Sequence, residues 1–91
     1  MHRDLRPLHT FRAGQRAIIR EARDDSPERL RRWYTLGLTP GAIVQFLSHE
    51  PLDDLFEIKI GTKVVALGSE GLAGLLGEAV DNKQSHHASH E

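Results

Sequence analysis

Metal chemistry is the first possibility the residues raise, because six histidines stand among 91 positions. His86, His87 and His90 cluster at the C-terminus. Neutral imidazoles bind divalent transition metals, and the i, i+4 spacing of His86 and His90 would align both on one side of a helix. Ser85, Ala88 and Ser89 offer no packing to hold such a helix, and ordering a free tail costs conformational entropy. The reading therefore favours a solvated, disordered tail, with His86, His87 and His90 kept only as weak candidate ligands. His49-Glu50 is a second imidazole–carboxylate pair, in a segment that reads as a loop, while His2 and His9 have no partner pattern.

Other reactive groupings are weaker. The absence of cysteine removes disulfides, thiolate metal sites and thiol nucleophiles. The carboxylate pairs Asp24-Asp25 and Asp53-Asp54 fall in turn-like segments, where capping and solvation account for them better than general acid–base work. Ser26, Ser48, Ser69, Ser85 and Ser89 lack a nucleophile-elbow context. Gly61-Thr62-Lys63 has none of the glycine-rich approach of a phosphate loop and reads as a hairpin turn. Arg29, Arg31 and Arg32 beside Trp33 and Tyr34 could neutralise and stack on nucleic acid. Helical spacing places Trp33 on the Leu30 side as a core anchor, which leaves the arginines as a solvated face. No catalytic residue, no cofactor and no nucleic-acid partner is expected, so the reading is non-enzymatic.

Composition supports a single small binding domain. Hydrophobic content of 38% and charged content of 27% are ordinary for a soluble domain, and no apolar run approaches the roughly 20 residues that cross a bilayer. Met1 to Pro7 has no apolar stretch after its charges, so it is not a secretory signal. Residues 1–32 hold nine arginines against five acids and residues 33–91 three lysines against eight acids, giving +4 and −5 and the net −1. In a barrel built from both halves these blocks interleave into a mixed surface. No direct membrane insertion and a cytoplasmic location are the expectation.

The elements that must position these groups follow from local chemistry. Residues 1–10 read as an irregular lead-in, and Gln15 to Ala22 as a half-buried strand. Ser26-Pro27-Glu28 opens a helix, with Ser26 preferred over Asp25 as N-cap because Pro favours the first helical position. That helix carries Leu30 and Trp33 on its apolar stripe and stops at Gly37. Thr39-Pro40-Gly41 turns the chain into a strand over Ala42 to Leu47, with Ser48 to Asp54 as an exposed loop. Phe56 to Ile60 alternates cleanly, and Gly61-Thr62 reverses it into Lys63 to Leu67. Ser69 caps a short second helix weakened by internal glycines, and Glu78 to Val80 forms a last strand. The sum is a mainly β, small, partly open barrel with one well-formed helix, a domain over residues 11–80 and a tail over 81–91.

Across Arg31-Arg32-Trp33-Tyr34-Thr35-Leu36-Gly37-Leu38-Thr39-Pro40-Gly41 the chain resembles the FeoA family, whose recurring feature is an apolar helix ending in Leu-Gly-Leu/Met and then Pro-Gly. The downstream order of strands agrees, so the resemblance covers about residues 8–80, although Trp33-Tyr34 stand where smaller aliphatics are usual. It implies an SH3-like barrel and a cytoplasmic accessory that binds and regulates FeoB, the membrane transporter of ferrous iron, through FeoB's cytosolic portion. Similar SH3-like modules form the C-terminal domain of DtxR-type metal-dependent repressors, so a metal-responsive regulatory module is the alternative. If the chain is complete, the lack of a winged-helix segment favours a stand-alone FeoA. The expected contact residues are Tyr34, Leu36, Leu38 and Pro40, where an apolar helix edge meets an exposed turn. Leu36 and Leu38 could equally close one end of the barrel, and the acidic Asp53-Asp54 loop is the next candidate surface.

Overall fold

Alternation along Leu55–Ile60 buries Phe56 and Ile58 on one face and leaves Glu57 and Lys59 in water on the other. This strand is β4 of six in the computed structural model, which describes residues 4–80. The others are β1 Arg6–Pro7, β2 Arg16–Ala22, β3 Ile43–Glu50, β5 Lys63–Leu67 and β6 Leu75–Ala79. They form one antiparallel sheet in the order β1-β6-β2-β3-β4-β5, so β1 and β5 are its edges. Helix α1 spans Pro27–Leu36 between β2 and β3, and the single turn α2 spans Ser69–Leu72 between β5 and β6. The arrangement is the mainly β, open SH3-like fold with one long and one short helix.

Register shifts between Ile19 and Glu21 and between Phe46 and Ser48 mark β-bulges, which bend the sheet around a single core. That core runs through Ala17, Ile19, Val44, Phe46, Phe56, Ile58 and Leu75. Phe11 stacks on Phe46 with centroids 5.4 Å apart, and Phe46 meets Phe56 edge-on at 6.3 Å, both favourable aromatic geometries.

Four expectations need correction. The lead-in is not irregular throughout: Arg6 pairs with Gly77 and Pro7 with Leu76, and Leu8, in a 3-10 turn over Leu8–Thr10, is fully buried. Ser48, His49 and Glu50 extend β3 because Glu57, Phe56 and Leu55 of β4 stand opposite them and complete the ladder. Gly68, not Ser69, precedes α2 as its N-cap, since the Ser69 hydroxyl is engaged by Asp54. The chain leaves α2 through Gly74 at φ +101°, which frees Leu75 and Leu76 to begin the last strand earlier than Glu78.

Candidate partner-binding surface

Helix α1 starts where short acceptors meet free amides. The Ser26 hydroxyl accepts from the Arg29 N–H at 3.3 Å, and Asp24 Oδ1 accepts from the Ser26 N–H at 2.7 Å. Pro27 occupies the first turn, and Gly37 ends the helix at φ +87°. The Leu38 N–H donates to the Trp33 carbonyl at 2.8 Å, which closes the helix end. Thr39 to Ala42 is then a tight turn, with the Ala42 N–H 2.9 Å from the Thr39 carbonyl and Gly41 at φ +98°, as a type II turn requires after Pro40.

Trp33 orients the helix. It is 2% exposed, and its indole N–H donates to the Gly71 carbonyl at 2.9 Å. One turn earlier, the Arg29 guanidinium donates to the backbone carbonyls of Glu70 and Ala73, pairs with Asp24 at 2.9 Å and lies 5.5 Å from the Trp33 ring centroid. Gly74 makes room for this clasp: a Cβ there would stand 2.4 Å from the Arg23 carbonyl oxygen and 3.0 Å from Trp33 Cη2.

With α1 so held, the four expected contact residues separate. Tyr34 is 75% exposed and Pro40 is exposed on its turn, whereas Leu36 is half-buried against the core. Leu38 is 0% exposed and belongs to the core, because the left-handed Gly37 turns the chain inward. Leu38 therefore offers no surface. Two residues apart on a helix lie about 160° apart around its axis, so Tyr34 and Leu36 face different directions. Tyr34 is joined instead by Leu30, one turn back and 38% exposed, which sequence spacing alone assigns to the core stripe. Leu36 shares a shallow depression of about 330 Å³ with Glu28, Arg31, Arg32 and Thr35. The i, i+3, i+4, i+7, i+8 spacing of these five residues was the available signal.

The β3–β4 hairpin tip is the second prominent feature. Leu52 is 92% exposed at its end. At its base the His49 ring stacks on Phe56 at 3.9 Å, and His49 Nε2 lies 3.6 Å from Asp54 Oδ1. Asp54 Oδ2 accepts from the Ser69 hydroxyl at 2.7 Å and from the Ser69 N–H at 3.1 Å. The Ser69 hydroxyl and then its N–H hold the Asp54 carboxyl below its ordinary value; loss of hydration opposes them, and His49 adds a weaker downward pull. Ser69 donates to Asp54 and not to His49, so these three side chains do not form a nucleophile–base pair. Among the described residues no group of three or more His, Cys, Asp or Glu could hold a metal ion. His86, His87 and His90 lie outside the described residues. No helix among the described residues is long and apolar enough to cross a membrane.

An open six-stranded antiparallel sheet with one long helix clasped over a glycine-containing return places the molecule among SH3-like domains. Residues 6–76 match the FeoA domain family, and the chain belongs to that family. The fold is similar to a crystal structure described as an iron uptake regulatory protein (FeoA), with TM-score 0.75 and 22% identity over 85% of this chain and 100% of that one. It is also similar to the FeoA protein from Chlorobium tepidum, with TM-score 0.74 and 25% identity over 85% of this chain and 72% of that one. A manganese-dependent transcriptional repressor shares the fold, with TM-score 0.80 and 19% identity, and there the chain covers 87% of itself and 43% of the repressor. A sequence search of curated proteins gives no match.

Proposed function

We propose that this protein is a non-enzymatic, cytoplasmic accessory of ferrous-iron uptake that binds the cytosolic portion of a FeoB-type membrane transporter and regulates it. Membership of the FeoA family supports the setting. The single observation that carries the site is Tyr34, 75% exposed on a helix that its buried neighbour Trp33 pins to the core. An exposed aromatic on a rigid element supplies contact area at small entropic cost. The contact surface is Tyr34 with Leu30 on the outer side of α1 and Pro40 on the exit turn; Leu36 faces away from it, and Leu38 lies in the core beneath the turn.

The experiment is a binding titration against the cytosolic portion of a FeoB-type transporter, paired with iron uptake in cells. Tyr34→Ser and Leu30→Ser should weaken both while the melting temperature stays within a few degrees of the parent. Two folded variants with normal binding and uptake would move the contact surface away from α1. The second reading, a metal-responsive regulatory module, is favoured by the likeness to the manganese-dependent repressor. Anaerobic Fe(II) titration of the full chain tests it, and saturable stoichiometric binding would be its signature.

A further inference from the structure

The hairpin tip and the α1 depression are chemically opposite. The tip presents Leu52, 92% exposed, between the exposed carboxylates of Glu50 and Asp53. Glu50 Oε2 accepts from the Leu52 N–H at 3.2 Å, which folds that carboxylate back over the tip. The depression presents the half-buried Leu36 beside Arg31 and Arg32. Neither arginine makes an ion pair with another described residue. Glu28 stands a turn away at the other end of the stripe, so the acceptor end for an acidic partner is the Arg31, Arg32 and Leu36 end.

We propose that copies of this chain associate head to tail, the Glu50-Pro51-Leu52-Asp53 tip of one seated on the Arg31, Arg32 and Leu36 depression of the next. The occupant follows from charge and shape. A volume of about 330 Å³ is ample for one leucine side chain, and two carboxylates then meet two guanidinium groups at its rim. The tip's own chain leaves Leu52 uncovered, and Asp54, held by Ser69, fixes the hairpin base. Tip on tip would oppose carboxylate to carboxylate, so the tip seeks a patch unlike itself. A contact between two different patches is heterologous, every joined pair keeps one free tip and one free depression, and assembly continues until it closes into a ring or runs on as a filament. This association is separate from transporter binding and does not rest on it.

Sedimentation velocity of the full chain tests the proposal. At about 20 mM salt the mean mass should rise with protein concentration, and at roughly 500 mM salt the rise should be suppressed, because screening acts directly on rim charges. Asp53→Lys should remove a working tip and Arg32→Glu a working depression, each weakening association at least about fivefold, since an exposed ion pair contributes up to about that factor and reversal adds repulsion. Leu52→Ser should weaken it with no change of charge. Mixing Arg32→Glu with Leu52→Ser is the decisive arm: the intact tip of the first and the intact depression of the second should give a 1:1 pair and nothing larger, because the other tip–depression contact in that mixture lacks its leucine and sets carboxylate against carboxylate. A parent that stays monomeric across the concentration range overturns the proposal. So does a variant mixture that stays monomeric, or association unchanged by Leu52→Ser.

Discussion

Replacing Trp33 separates two contributions that the structure places on one side chain. Its ring is 2% exposed, and its N–H satisfies the Gly71 carbonyl at 2.9 Å. Trp33→Ala removes the ring and opens a cavity between α1 and Gly74, which costs about 3–5 kcal/mol. Small domains have total stabilities near the lower end of about 5–15 kcal/mol, so most of the margin is gone. Trp33→Phe keeps much of the apolar volume but leaves the carbonyl without its donor, at about 1–3 kcal/mol. Urea unfolding followed by circular dichroism reads both. With a slope near 1 kcal/mol/M for so short a chain, the Phe variant's midpoint should fall by about 1–3 M with the slope unchanged. The Ala variant should be partly unfolded without denaturant. An Ala variant that unfolds at the parent's midpoint would refute the packing of α1 described here. A Phe variant indistinguishable from the parent would show that the Gly71 hydrogen bond contributes nothing net.

Gly74→Ala should destabilise by more than 1 kcal/mol, because it adds a Cβ 2.4 Å from the Arg23 carbonyl oxygen at φ +101°; a thermal midpoint equal to the parent's would contradict that geometry. Leu38→Gln buries an amide in an apolar core and should cost at least about 2 kcal/mol, so any loss of transporter binding it causes should track loss of fold in a melting assay. Asp54→Asn should lower stability at neutral pH. A carboxyl whose folded pKa is depressed contributes fully above its unfolded value and loses that contribution as pH falls through the folded one. The gap between parent and Asp54→Asn should therefore narrow below about pH 4, and a pH-independent gap in urea midpoints would refute the role of the Ser69 hydrogen bonds.

What was legible in the sequence was local. Ser26-Pro27 and Gly37 bound α1 because capping needs only neighbouring residues, and Gly41 fixed its turn by the positive φ that follows Pro40. Phe56 to Ile60 declared its faces by alternation. The misses all depend on distant partners. Arg6 and Pro7 become a strand only beside Gly77 and Leu76, and Leu8 packs close to Gly77, where a Cβ would stand 2.7 Å from Leu8 Cδ2. His49 and Glu50 lengthen β3 because β4 continues opposite them. Ser69 is drawn from capping by a carboxylate 15 residues upstream. Leu30 is more exposed than the stripe implies and Leu38 takes the barrel-closing role that stood open beside partner contact, since the orientation of α1 is set by Gly71 and Gly74, whose positions the helix sequence does not contain.

That dependence bears on how much of α1 is left open to solvent. The sheet residues, with Phe11 and the buried leucines, fill most of the core, and α1 contributes one fully buried side chain. A helix attached by Trp33 and by the Arg29 hydrogen bonds leaves Glu28, Arg31, Arg32, Tyr34 and Thr35 free of packing duty. Side chains that the core does not constrain can differ among members of one fold, which suits a scaffold found both in FeoA proteins and in a manganese-dependent repressor. The same attachment also ties α1 to α2 through Gly71 and Glu70, and Ser69 ties α2 to Asp54 at the hairpin base. Trp33, next to Tyr34, and Asp54, two residues from Leu52, therefore stand at the two ends of one connected path through α2, while Tyr34 and Leu52 themselves face solvent.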